Sequence, residues 1–399
     1  MTKITAIHHG FSALKRVPAF VGTTLLAAAP IAATAQSLPE SGGYTLIEAG
    51  SPLATEVHLF HNWILMPVMV AISLFVLALL IIVIARFNEK SNPNASRFSH
   101  NTFLEIVWTF IPIVILLFIA LFSFDLLFKE GVIPDGKQET IQVAGSQSEF
   151  TFANDFNPRR KVTKKKHLDV FLSQAGNTRK LSYSKDYKVT GFGDETLTIK
   201  LNQPASSGEQ VIIHAGQSRV GAASIMDMLL NNTAGEIAMA PSVTLKATGL
   251  QWAWQYNYPE FGDFEFLAKL LPEDETTKEL YLFETDNHVV LPVGETIRLI
   301  TTASDVIHAW AMPSFAVKVD AVPGRNNETW FKANKTGMYY GQCSEICGKD
   351  HSFMPIAVKI VTRPEFEAWV DQQRALAGLD PMFNLDLFKV AAAPAATQN

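Results

Sequence analysis

Two long uncharged apolar spans constrain this chain more than any other feature. Residues 63–85 contain no Asp, Glu, Lys or Arg and are rich in Leu, Ile and Val. Residues 106–124 form a second such span, bounded by Glu105 and Asp125. As a helix, each is long enough to cross ~30 Å of hydrocarbon, where only helices and closed barrels satisfy every backbone amide. The short connection carries Arg86, Glu89, Lys90 and Arg97, so the positive-inside rule places it in the cytoplasm. A hairpin follows, with the mature N-terminus and everything beyond about Phe128 on the periplasmic side. Two buried helices of a soluble protein are the competing reading; length and absence of charge oppose it.

The N-terminus reads as a secretory signal, residues 1–35. Lys3, Lys15 and Arg16 are its positive region, residues 17–33 are apolar and small, and Ala33-Thr34-Ala35 is an A-x-A site. Pro18 and Pro30 oppose a further membrane helix there. Export exposes the only two cysteines, Cys343 and Cys347, to an oxidising compartment. The net charge of −5 implies no partner by itself, and no nucleic-acid signature is present.

Beyond Pro134 the pattern changes to short alternating runs separated by turn residues, the spacing of a sandwich or barrel. Thr140-Ile141-Gln142-Val143, residues 242–247, His288-Val289-Val290-Leu291, residues 296–300, 315–319 and 356–361 are the expected strands. Residues 364–377 read as a helix capped by Thr362. The expected organisation is a periplasmic segment over 36–57, the hairpin over 58–128, an atypical stretch over 129–240, a metal-bearing domain over 241–375 and a tail over 376–399, disordered after Val390. Basic residues outnumber acidic ones in 137–240 and the reverse holds in 251–375. Arg159-Arg160-Lys161 and Lys164-Lys165-Lys166 read first as a solvated loop, then as a lipid-headgroup or partner contact. No catalytic constellation marks that stretch.

The chemistry concentrates in Cys343-Ser344-Glu345-Ile346-Cys347-Gly348-Lys349-Asp350-His351-Ser352-Phe353-Met354, with a second imidazole upstream at His308. Four readings are open: a disulfide, a zinc site, a mononuclear blue-copper centre and a binuclear copper centre. Zinc has little use for a thioether. A blue-copper site needs one thiolate, two imidazoles and a weak axial Met. The binuclear reading uses every donor and suits their softness.

These motifs resemble subunit II of haem-copper cytochrome c oxidases. The loop follows that family's C-x-E-x-C-x-x-x-H-x-x-M pattern, and Asp305-Val306-Ile307-His308-Ala309-Trp310 resembles its D-V-x-H-x-W segment. The resemblance extends over the signal, the hairpin and residues from about 242 to 370, including residues 319–325 and 327–330. It implies a two-helix membrane hairpin plus an all-β Greek-key sandwich of cupredoxin type. It further implies that Cys343 and Cys347 bridge two coppers (the CuA centre), with His308 and His351 at opposite ends and Met354 on one copper. Glu345 would give its backbone carbonyl to the other copper and its carboxylate to a Mg²⁺ or Mn²⁺ ion shared with subunit I.

In the same way the resemblance assigns Trp252, in the run Gln251-Trp252-Ala253-Trp254-Gln255-Tyr256-Asn257-Tyr258, as the ring that receives the electron from cytochrome c. Glu260, Asp286 and Asp305 would steer a lysine-rimmed donor. Asn257 and His288 depart from the family pattern at an acid and at an Arg. Glu105, in Glu105-Ile106-Val107-Trp108-Thr109, would stand at the mouth of a proton pathway; the competing reading is a plain interfacial carboxylate. The implied role is electron relay in an inner-membrane, multi-pass subunit with its copper domain in the periplasm. Its partners would be subunits I and III, cytochrome c and lipid, with haem only in subunit I. A quinol-oxidase subunit II would lack the copper ligands. A membrane-tethered copper chaperone would need one anchor and a thioredoxin-like alternation.

Overall fold

The computed structural model describes residues 37–383 apart from 41, 95–96, 155–160, 175–176, 218 and 222–234. The expected signal, the Arg159-Arg160 pair and the end of the tail lie outside the described residues. Helix α1 (Pro52–Phe60) begins at Ser51, whose hydroxyl accepts from the Ala54 amide at 3.0 Å and donates to the Phe315 carbonyl at 2.9 Å. A π turn, His61–Leu65, joins it to α2 (Met66–Arg86), and the continuous helix spans 35 residues. Helix α3 (Thr102–Gly131) spans 30, is capped by Asn101 and contains Pro112. At 1.5 Å per residue both exceed the hydrocarbon thickness and project beyond it. No residue of α2 is buried, so its apolar surface faces lipid or another chain. Both helices outrun the expected hairpin of 58–128, because polar contacts described below hold their far ends.

The remaining chain is mostly strand. Among the described residues nine strands precede residue 240: β1 (Lys137–Gln142), β2 (Gln147–Ala153), β3 (Leu168–Gln174), β4 (Asn177–Lys180), β5 (Tyr187–Thr190), β6 (Thr196–Ala205), β7 (Gln210–Ala215), β8 (Arg219–Val220) and β9 (Glu236–Ile237). Sheets β1-β7-β3-β4 and β2-β6-β5 share one core, built on Phe150, Phe152, Val170, Leu197, Ile199, Val211 and Ile213. The stretch that offered no motif is therefore a small sandwich with its own apolar interior.

Ten strands follow: β10 (Val243–Leu250), β11 (Ala253–Tyr258), β12 (Phe264–Ala268), β13 (Val289–Pro292), β14 (Thr296–Ala303), β15 (His308–Met312), β16 (Val317–Ala321), β17 (Asn327–Lys332), β18 (Gly337–Gln342) and β19 (Pro355–Val361). A five-stranded sheet β12-β11-β10-β14-β17 packs with β13-β19-β18 and the β15-β16 ribbon. Trp254, Tyr256, Tyr258, Trp310, Phe315 and Phe331 fill the space between. Helix α4 (Arg363–Leu376) covers this core with Phe366 and Val370. The strand expected over 315–319 starts two residues late. Pro313–Phe315 is a 3-10 turn followed by Ala316 at φ +56°, so Phe315 packs on Phe331 and β16 opens only at Val317. Residues 251 and 252 form the turn before β11.

Candidate metal centre

His308 opens β15, while Cys343 follows β18 and Met354 precedes β19; these two strands are antiparallel neighbours. The loop is closed by Cys343 N–H donating to the Met354 carbonyl at 3.3 Å and pinned to β15 by Ser344 N–H donating to Ala309 at 3.1 Å. A 3-10 turn, His351–Phe353, brings His351 back over the loop. The spacing of four and then three residues thus folds the donors inward.

Cys343 Sγ lies 3.8 Å from Cys347 Sγ, and both thiols are free. A disulfide would hold the sulfurs at about 2.05 Å, so that reading is not the state seen here. Two thiolates each about 2.3 Å from one shared metal, at a tetrahedral angle, lie about 3.8 Å apart. Cys343 Sγ is 3.9 Å from His308 Nδ1 and 3.4 Å from the Glu345 carbonyl. Cys347 Sγ is 3.5 Å from both His351 Nδ1 and Met354 Sδ. Each sulfur therefore has one imidazole and one weak donor beside it. The arrangement can hold two soft metal ions with shared sulfur, and the donor set fits copper. His308, Cys343, Cys347 and Met354 are buried, which keeps water away from them. Glu345 places its carbonyl at the sulfur and is itself exposed.

Electrostatics at the sulfurs follow from the contacts. Burial pushes the Cys343 thiol up, but His308 and the backbone around Glu345 and Ala309 outweigh it and bring it down to about 6. Burial and the neighbouring Cys343 thiolate push Cys347 up. Two thiols this close resist a second negative charge, which a bridging cation would relieve. Burial would lower His308, yet the Cys343 thiolate and the Asp305 carboxylate raise it above its ordinary value.

Asp305 is more than an exposed acid. Its Oδ1 accepts from His308 Nε2 at 2.9 Å and its Oδ2 from Gln251 N–H at 2.7 Å. Holding Nε2 leaves Nδ1 facing sulfur, which is how a carboxylate orients a metal-binding histidine. The i, i+3 spacing of Asp305 and His308 was the available signal. Trp252 is half-buried and donates from Nε1 to the Cys347 carbonyl at 3.3 Å, and Gln251 Nε2 donates to the same oxygen at 2.9 Å. Reasoning from sequence missed Gln251 and two glycines. A Cβ on Gly249 would stand 2.7 Å from His308 Cδ2, and one on Gly348, at φ +120°, 3.1 Å from the Trp252 ring.

The three docking acids do not gather in one place. Asp286 Oδ1 accepts from Lys269 N–H at 2.7 Å, just past β12, whose Ala268 pairs with Trp254. That places Asp286, like Asp305, at the Trp252 end of the sheet. Glu260 accepts from Thr244 N–H at 3.1 Å, at the opposite end of the β10-β11 hairpin. At ~3.3 Å per residue this is roughly 20 Å from the Trp252 end. His288 pairs with Glu284 at 2.6 Å, and Tyr340 donates to the same carboxylate at 2.9 Å. Burial raises Glu284, but these two donors outweigh it and hold it below its ordinary value. Glu105 lies in the first turn of α3, at the hairpin end remote from the sandwiches.

The family model for the cytochrome c oxidase subunit II periplasmic domain matches residues 243–361, and that for its transmembrane domain matches 39–126. Together they span more than half of the chain. This chain belongs to the cytochrome c oxidase subunit II family. The "probable cytochrome c oxidase subunit 2" of Rickettsia bellii is 31% identical over 366 residues, 91% of this chain and 95% of that relative. The cytochrome c oxidase subunit 2 of Cereibacter sphaeroides is 33% identical over 355 residues, 88% of each. A crystal structure of the periplasmic domain of subunit II of cytochrome oxidase from Bradyrhizobium japonicum is 53% identical, covering 34% of this chain and 96% of that one, with a TM-score of 0.32. As a subunit II of an oxidoreductase complex, the chain joins two apolar membrane helices to a cupredoxin-like sandwich, and its family implies CuA copper.

Proposed function

We propose that this subunit II takes electrons singly from a ferrocytochrome c and passes them to haem in subunit I, where O₂ is reduced to water with proton pumping. The observation that carries this reading is the convergence of His308, Cys343, the Glu345 carbonyl, Cys347, His351 and Met354 around one pair of sulfurs. Bound between those thiolates, two coppers would share a single added electron, so bond lengths would change little on reduction.

The chain's own residues supply the rest. The donors are fixed by β15, one tight loop and the start of β19, which limits movement between redox states. Trp252 receives the electron at the surface and reaches the loop through its hydrogen bond to Cys347. Asp286 and Asp305 offer negative charge at that end of the sheet to a lysine-rimmed donor. The Glu345 carboxylate is free for a Mg²⁺ or Mn²⁺ ion at the subunit I contact, since hard cations take oxygen ligands. Glu105 takes protons from the cytoplasmic side. The protein resides in the inner membrane with its metal domain in the periplasm, beside subunits I and III.

Metal analysis of the purified oxidase tests this reading. Two coppers in this subunit with a near-infrared band are expected, both lost in Cys343→Ser. Trp252→Phe should keep the band while reduction by ferrocytochrome c in rapid mixing slows by at least tenfold. A wild-type subunit without copper, or a Trp252→Phe variant reduced at the wild-type rate, would contradict the copper centre or the surface relay respectively.

A further inference from the structure

The small sandwich over 137–240 carries a basic turn that copper chemistry does not use. Lys164, Lys165 and Lys166 are consecutive, and Lys165–His167 is a 3-10 turn. Lys164 and Lys165 are exposed and Lys166 is half-buried. Among the described residues no carboxylate pairs with any of the three. Lys165 Nζ lies 5.6 Å from the centre of the Tyr183 ring. Three adjacent like charges without an ion-pair partner repel one another, and an external anion would relieve that repulsion.

The turn is held in place. Arg219 Nε donates to the Lys166 carbonyl at 2.6 Å, while its guanidinium grips buried Asp169 with two bonds of 2.9 Å. Two residues on, Gly221 N–H donates to Glu56 of α1 at 2.6 Å. A second route leads to the same level. Lys137 and Leu168 both pair with Ala215 of β7, so β1 and β3 start at the same level on either side of that strand. Strand β1 starts six residues after α3 ends at Gly131, with Phe128 and Val132 still exposed and apolar. Gly216 donates to the His167 carbonyl at 3.1 Å and packs so closely on Gly136 that a Cβ would stand 2.8 Å from its Cα. The lysine turn therefore lies level with the chain leaving α3, roughly 10 Å beyond the uncharged span at 1.5 Å per residue, with a tyrosine beside it, and long lysine side chains there reach toward phosphates at the bilayer surface.

We propose that Lys164, Lys165 and Lys166 form a docking surface for anionic phospholipid headgroups and hold the 137–240 sandwich against the bilayer. This rests on the membrane hairpin and not on the copper reading. Each lysine near an anionic surface shifts association by roughly fivefold. The assembled oxidase in nanodiscs of phosphatidylcholine alone, or with one-third phosphatidylglycerol, gives the test. Acylation of the three lysines, read by mass spectrometry, should be several-fold slower in anionic discs, and high salt should restore it. Exposed Lys278 should label equally in both.

Hydrogen exchange over Leu168–Gln174 should depend on lipid charge in the wild type and not in a K164Q/K165Q/K166Q variant, whose copper spectrum should be unchanged. Equal labelling in the two lipids overturns the proposal. So does equal protection by inorganic phosphate added to neutral discs, which would mark a free-anion site. Strong protection in both lipids would place another protein over the turn and also overturn it.

Discussion

His308 is constrained on both faces, and this makes its neighbours as informative as the ligands. Asp305 holds Nε2 at 2.9 Å, and Gly249 leaves no room beneath the ring for a side chain. Asp305→Asn keeps the shape but exchanges a charged acceptor for a neutral one and frees the ring to reorient. Partners of this kind typically contribute 10–100-fold to metal affinity. Copper retention against a competing chelator should fall by about that factor, with the domain still folded by circular dichroism. Retention equal to wild type would show that the carboxylate serves docking alone. Gly249→Ala tests the other face. A methyl group 2.7 Å from Cδ2 must push the imidazole or β10, so the near-infrared band should shift or broaden even where copper is retained. An unaltered spectrum would mean that β10 yields freely.

Helix α4 shows what local chemistry can and cannot announce. Thr362-Arg363-Pro364-Glu365 closes a reciprocal cap: Glu365 accepts from the Thr362 amide at 2.8 Å and from its hydroxyl at 2.7 Å. Those bonds hold the Glu365 carboxyl below its ordinary range. A depressed carboxyl contributes stability above its unfolded pKa and loses it as pH falls through the folded value. Glu365→Ala should cost about 1 kcal/mol near neutrality, seen as faster hydrogen exchange across α4, and the difference from wild type should shrink only as pH falls below about 4. A pH-independent difference would assign the effect to packing instead. Signals of this kind, together with uncharged spans and a dense ligand loop, made the helices, the family resemblance and the donor set readable in advance. The 3-10 turn before β16 was not, because Pro313 and the buried contact of Phe315 override an alternating pattern. Nor was the separation of Glu260 from Trp252, since hairpin register places them and composition is silent on it.

The junction between membrane hairpin and sandwiches depends on pairings far apart in sequence, which is why no local pattern revealed it. Glu56 is fully buried, accepts from Lys129 of α3 at 2.7 Å and from Gly221 at 2.6 Å, and Lys129 also meets Asp125 at 2.9 Å. Two further bonds lock the end of α3 to the edge strand β17: Thr329 donates to the Glu130 carbonyl at 3.0 Å and Trp330 to Lys129 at 2.8 Å. Trp330 then packs on Val220 and Ala238 of the smaller sandwich. One carboxylate thus ties α1, α3 and the end of β8, whose Arg219 holds the lysine turn, into a single joint. Removing one partner of a buried pair costs about 3–5 kcal/mol because the other charge is stranded. Lys129 keeps some solvent and Asp125, which favours the lower end. Glu56→Ala should leave the helices inserted, since lipid holds their apolar faces, and leave the copper spectrum intact, since no donor lies nearby in the chain. The loss should fall on the joint, with hydrogen exchange at residues 219–221 and 236–237 rising by at least tenfold relative to β10. Unchanged protection there would mean that Trp330 and the apolar contact around it suffice to hold the two sandwiches to the membrane helices.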